Sequence, residues 1–202
     1  RKASVLDALD VLGDFAVVDD YSNFSLLALS VDGAHLDVLE AHPEVLAIHA
    51  DQLGVPELAS SLSFIEASSV HLGGTRGAGS SVAVLDSPVQ YWSGHFGTCP
   101  ARGAWPPVGA GCALTHWEDV VGATDAATLA ERHTHGTHVA GVVRGVAPDA
   151  ELLSINVFRW WDGFGAYYQM SDVISGLNRV ATLAATTDIT AVNLSLGGSW
   201  PS

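Results

Sequence analysis

Apolar positions keep different rhythms in different parts of the chain. In SVLDALDVLG, Val5, Leu6, Leu9 and Leu12 share one helical face and Gly13 suits the stop. FAVVDDY and FSLLALSV then read as strands. Asp32 is placed to cap a second helix carrying Leu36, Val38 and Leu39, Pro43 breaks it, and EVLAIHAD returns as a strand. The predicted order α-β-β-α-β makes residues 1–52 a small α+β unit. Residues 53–78 show no sustained rhythm. Pro56, a serine-rich stretch and GGTRGAG (73–79) read as a connector. The glycine run precedes a strand and lacks a Lys-Ser/Thr ending, so it reads as a surface turn rather than a phosphate loop.

The rhythm changes again in residues 79–202. SVAVLD (81–86), ELLSINVF (151–158) and DITAVNLSL (188–196) are apolar runs of strand length. A helix is predicted from His135 to Arg144, stopped by Gly145, and another from Ser171 to Thr186. The second carries Val173, Leu177, Val180 and Ala184 as an i, i+4, i+7, i+11 stripe. Strands apolar throughout and joined by helices predict an α/β fold, a parallel sheet flanked by helices.

Composition narrows the function classes. Of 202 residues 48% are hydrophobic, enough for a packed core. A net charge of −14 with only 8 Lys+Arg repels phosphate backbones and anionic lipid, so neither nucleic acid nor a membrane is an expected partner. No apolar run reaches the roughly 18 residues that span a bilayer. The chain starts at Arg1 without a signal-peptide pattern, which reads as a processed, trimmed or incomplete start. Cys99 and Cys112 bracket the Gly- and Pro-rich CPARGAWPPVGAGC and read as a disulfide, with two free thiols as the alternative. Such a bridge contributes about 3 kcal/mol in the chain-entropy view and implies an oxidising compartment.

Candidate chemistry gathers at strand ends. In open parallel sheets, sites form outside the carboxyl ends of the strands. Asp86 ends one strand, and His135 opens the next predicted helix, where the helix dipole favours a neutral, proton-accepting imidazole. A carboxylate beside such a histidine fixes its tautomer, giving two parts of a nucleophilic triad. RHTHGTHVAGVV holds His133, His135 and His138 within six residues, yet lacks the i, i+4 His pair with an intervening Glu of a zinc protease. Cys99 and Cys112 lack the short spacing of zinc modules, so no metal is assigned.

SVAVLDS, then HGTHVAGVVRGVAPDAELLSINVF, then AVNLSLGG, in that order over roughly 80–202, resemble the subtilisin-like serine proteases. Residues 1–52 resemble, by element order and position, the ferredoxin-like inhibitory propeptide of that family. The resemblance implies that Asp86 and His135 are the triad Asp and His, that His138 is structural, and that Gly136 and Gly141 let the helix pack closely. It also implies that Ser195, Leu196, Gly197 and Gly198 pair with the backbone of a polypeptide substrate by strand addition. His133 reads as a solvent-side neighbour.

Several positions depart from the family pattern. The family's nucleophile turn, Gly-Thr-Ser, and the oxyanion Asn are expected beyond residue 202. Ser199 adjoins the substrate strand with no helix after it and is not read as the nucleophile, and Asn193 reads as a strand residue. Asp86-Ser87-Pro88 replaces Asp-Thr/Ser-Gly, so the following loop must differ. His95 lacks the acidic partner often found there, so structural calcium in a complete enzyme is left without assigned ligands, and no other cofactor is evident. The expectation is the N-terminal part of a secreted endopeptidase precursor, inactive as this chain alone, its propeptide-like unit an intramolecular inhibitor cleaved somewhere in 50–65. The alternative is a truncated, non-catalytic remnant with a binding or regulatory role.

Overall fold

The computed structural model describes residues 1–51, 67–104, 111–122 and 126–197, and residues 53–56 by their backbone. They divide into two compact units, Arg1–Gln52 and Leu53–Ser202.

In the first unit, α1 (Lys2–Asp10) and α2 (Gly33–Ala41) accompany an antiparallel ribbon of β1 (Ala16–Asp20) and β2 (Leu27–Ser30). Val5, Leu9 and Leu39 form its buried centre. Asp32 caps α2 by accepting from the Ala34 and His35 amides, as predicted. His35 is buried, with Nδ1 2.6 Å from Asp32 Oδ1 and Nε2 2.6 Å from the Gly13 carbonyl. The strand predicted in EVLAIHAD does not form over the described residues 45–51, so the ferredoxin-like order is not confirmed. Among the described residues β1 and β2 pair only with each other, and Leu46 is 98% exposed. A strand-like pattern without a ladder partner leaves its backbone to water.

The second unit is built on a four-stranded parallel sheet of β4 (Ser81–Asp86), β5 (Leu114–Asp119), β6 (Glu151–Asn156) and β9 (Ile189–Asn193), in the order β5-β6-β4-β9. The α/β class read from the sequence holds. Two helices cover its faces, α5 (His135–Val146) and α6 (Met170–Leu183). Strand alternation sorts the core between them. Ala83, Leu85, Leu153 and Ile155 pack with Val173 and Val180 of α6. Val84 and Leu152 pack with Val139 and Ala140 of α5. Position 86 therefore shares the α5 face with Val84. Gly176 lets α6 come close, since a Cβ there would lie 2.7 Å from Val157 Cγ1 and 2.9 Å from Leu85 Cδ2.

Two further short helices are α3 (Ala67–Leu72), before β4, and α4 (Ala126–Arg132), between β5 and α5. A second, antiparallel sheet runs in the order β10-β3-β8-β7, from β3 (Leu53–Pro56), β7 (Arg159–Trp161), β8 (Gly165–Gln169) and β10 (Leu196–Gly197). Leu53–Pro56, read from sequence as part of a connector, is thus an interior strand of this sheet. The glycine-rich 73–79 stretch is a turn tied down by Arg76, whose guanidinium meets Asp149 at 2.7 Å.

Candidate active site

β4 is the switch point of the parallel sheet: β6 lies on one side of it and β9 on the other. Sites of open parallel sheets are expected at such a point, outside the carboxyl ends of the strands, where Asp86 ends β4. Asp86 is fully buried. Facing it, at the first turn of α5, His135 Nδ1 lies 2.8 Å from Asp86 Oδ1 and 3.0 Å from Oδ2. The His135 side chain is 12% exposed. A carboxylate only accepts, so Nδ1 carries the proton, and Nε2 is the nitrogen with a lone pair to take one up. This is a base whose ring is oriented and whose tautomer is fixed by a buried anion.

Close approach makes the pairing possible. A Cβ on Gly136 would fall 1.9 Å from the Ser87 carbonyl oxygen, so only glycine lets the start of α5 meet the end of β4. Gly141 differs: nothing among the described residues lies within 4 Å of a Cβ there, so its expected packing role is not found among them. Ser87 ties the two elements together. Its N–H donates to Asp86 Oδ1 at 2.7 Å, and its hydroxyl accepts from the Gly136 N–H at 2.9 Å. Pro88, which has no N–H, is buried between satisfied neighbours. The Val89 N–H donates to Ser154 Oγ at 3.2 Å and the Gln90 N–H to Thr137 Oγ1 at 2.9 Å. With Pro88 in the following loop the Asp–His pair still forms.

The antiparallel sheet contains a slot one strand wide. β10 and β8 are not neighbours; β3 lies between them and pairs antiparallel with both. Leu196 faces Pro56 and Gly197 faces Val55, while Gln169 faces Leu53 and Tyr168 faces Gly54. Two strand spacings separate the outer pair by about 9.5 Å, the width that admits one extended chain.

Residues 77–202 match the family Peptidase_S8, the subtilase family. The chain belongs to the subtilase family. It is of the serine-protease kind by that relationship. No curated protein matches the chain.

The subtilase assignments distribute as follows in space. Asp86 and His135 meet. Leu196 and Gly197 form β10, Ser195 precedes it with its hydroxyl donating to Asn193 Oδ1 at 3.0 Å, and Gly198 and Ser199 lie outside the described residues. Asn193 ends β9, as the sequence reading placed it. Cys99 and Cys112 are joined as a disulfide. His95 is exposed, and the described residues contain no group of three or more His, Cys, Asp or Glu able to hold a metal ion. His138 is exposed on α5 rather than packed. His133 is the larger correction. It is half-buried, its ring stacked on Phe158 at 6.0 Å and 17°, with Nδ1 3.1 Å from Ser87 Oγ. Burial lowers the His133 pKa, the like charge of His135 adds to this, and Asp86 opposes it. Sequence reasoning passed over Ser87 and misplaced His133. The one available signal was the placement of a hydroxyl directly after a strand-end carboxylate.

Proposed function

We propose that the chain is the N-terminal portion of a secreted subtilisin-like serine endopeptidase precursor. The observation that carries this is the contact of His135 Nδ1 with both oxygens of buried Asp86. In the complete enzyme His135 Nε2 takes the proton of a serine hydroxyl as that oxygen attacks the peptide carbonyl, then delivers it to the leaving amine. Asp86 orients the ring and stabilises the imidazolium between those two steps. The family's order of motifs assigns the serine and the oxyanion donor to chain downstream of residue 202.

A polypeptide substrate lies extended in the slot between β8 and β10, pairing with Leu196, Gly197 and Tyr168 through the backbone. Ser195 and Gly198 flank that pairing. The slot holds the chain's own Leu53–Pro56, which supports reading residues 1–52 and the strand after them as an intramolecular inhibitor removed by cleavage. The Cys99–Cys112 disulfide supports an extracellular setting. No helix among the described residues is long and apolar enough to cross a membrane.

The full open reading frame decides the matter. Its product, after maturation, is expected to hydrolyse peptides and to be labelled by a fluorophosphonate at a serine downstream of residue 202. Replacing His135 by Ala is expected to cut kcat by roughly four to six orders of magnitude. Peptide hydrolysis undiminished in His135→Ala rules the mechanism out.

A further inference from the structure

Asp86 is held by a second hydrogen-bonded arm besides His135. Ser87 Oγ lies 3.3 Å from Asp86 Oδ1, 3.2 Å from the His133 carbonyl, 3.1 Å from His133 Nδ1 and 2.9 Å from the Gly136 amide. A hydroxyl has one proton to give and two lone pairs to accept with. The Gly136 N–H fills one lone pair. The proton faces an ionised carboxylate, a neutral carbonyl and an imidazole nitrogen at nearly equal distances. A hydrogen bond to an ionised acceptor is about twice as strong as a neutral one, so the proton goes to Asp86. The remaining lone pair of Oγ then faces His133 Nδ1, which must bring its own proton. Only one neutral tautomer of His133 fits.

We propose that His133 is a positioning residue for the Asp86–His135 pair, acting through Ser87: His133 Nδ1–H donates to Ser87 Oγ, and the Ser87 hydroxyl donates to Asp86 Oδ1. The role rests on reading that pair as the catalytic one. The His133 ring is held in place from two sides. Its backbone N–H donates to the Leu129 carbonyl at 2.8 Å, at the end of α4, and its face stacks on Phe158 after β6. The groups facing it are Ser87 and Asp86 from the end of β4, His135 from α5 and Phe158; of these Asp86 and His135 carry or acquire charge. With its basicity lowered, His133 supplies a neutral donor and leaves the carboxylate charge to His135. The two rings are 5.9 Å apart, so a proton on His133 Nε2 opposes one on His135.

Histidine-selective ¹⁵N NMR of the intact protein tests the arm. At neutral pH His133 is expected as the Nδ1–H tautomer with an unprotonated Nε2. In His133→Phe, which keeps an aromatic face against Phe158 but loses the donor, the His135 Nδ1–H is expected to exchange with water about tenfold faster, the effect of one lost hydrogen bond. His133→Asn, whose amide offers a donor at the same position, is expected to restore exchange to within about twofold of the unaltered protein. Ser87→Ala should match His133→Phe. Should Ser87→Ala not fold, the tautomer and the two His133 variants still decide. An Nε2–H tautomer, or equal exchange in the Phe and Asn variants, overturns the proposal. A matured product of the full open reading frame that hydrolyses no peptide, alongside the Nδ1–H tautomer and the Phe/Asn difference, supports the arm and refutes the protease reading instead.

Discussion

Gly136→Ala is the sharpest probe of how the fold brings Asp86 and His135 together. The new Cβ would sit 1.9 Å from the Ser87 carbonyl oxygen and 2.8 Å from its carbon. Both belong to the backbone, so no rotamer change relieves the clash. Reaching even 3.0 Å requires a retreat of about 1.1 Å (3.0 − 1.9) by the start of α5. His135 is the adjacent residue and moves with it. A displacement of that size along the contact stretches the 2.8 Å hydrogen bond to roughly 3.9 Å, beyond hydrogen-bond reach. Overpacking of this kind costs about 1–3 kcal/mol. At 2 kcal/mol the melting temperature of a unit this size falls by roughly 4–8 °C. A misplacement near 1 Å at the reacting centre costs about a hundredfold in kcat. Gly141→Ala is the control, since nothing among the described residues lies within 4 Å of its Cβ. There alanine is expected to be neutral or to stabilise by up to about 1 kcal/mol through helix propensity. Calorimetry reads both variants, and kcat/KM of the full open reading frame's product reads them under the proposed function. If Gly136→Ala melts within about 1 °C of the unaltered protein and keeps its activity, close approach at Gly136 is not what sets the pair.

Three further predictions concern stability. His35 donates from both ring nitrogens, to Asp32 and to the Gly13 carbonyl, and the Asp32 bond raises its pKa above the ordinary 6.5 while lowering that of Asp32 below 3.8. The His35 contribution is complete below the unfolded value and lost as pH rises through the folded one; the Asp32 contribution is complete above its unfolded value and lost as pH falls through the folded one. Amide protection in α2 should therefore peak between about pH 4 and 6.5 and decline on the alkaline side, and His35→Gln should flatten that decline; protection that rises above neutrality contradicts the assignment. Replacing Cys99 and Cys112 together by serine releases a loop closed over a 13-residue separation and should cost about 3 kcal/mol, read as a lower denaturation midpoint. An unchanged midpoint would show that the loop is already ordered without the bridge. Buried Asp172 is held bidentately by Arg159 at 2.8 and 2.7 Å and accepts the Gln169 N–H, so Arg159→Met should destabilise by about 1–3 kcal/mol, and Asp172→Leu in that background should recover part of it; additive losses would argue against the pairing.

What the sequence revealed depended on whether the cause was local. β4 spans Ser81–Asp86 as its apolar run predicts, because a strand buried on both faces declares itself residue by residue. The motif around His135 marked the helix and its partner carboxylate. β5 passed unread: LTHWED has little alternation, and what makes it a strand is its ladder with β6. The β7–β8 hairpin was missed although Asp162-Gly163 between aromatic runs is a turn signal, with Gly163 at φ 99°. EVLAIHAD had strand propensity and no edge to join. Leu53–Pro56 was the reverse case, a Gly- and Pro-containing stretch made into a strand by edges supplied more than a hundred residues later. The sequence reading makes His138 structural and His133 solvent-side, and the structure reverses them: Phe158 and Ser87 half-bury His133, and His138 is exposed.

The strand in the slot between β8 and β10 also sets a concentration scale. A segment covalently attached to its own binding edges is present there at an effective concentration on the order of millimolar. A free peptide that binds those edges at micromolar strength has to displace an occupant that never diffuses away, and raising its concentration within ordinary limits does little. Severing one covalent connection removes that advantage at once, because the occupant then dilutes into bulk solution and competes only by its intrinsic affinity. On the reading proposed above, access to the slot is then governed by a single bond cleavage downstream of Pro56 rather than by the supply of peptide.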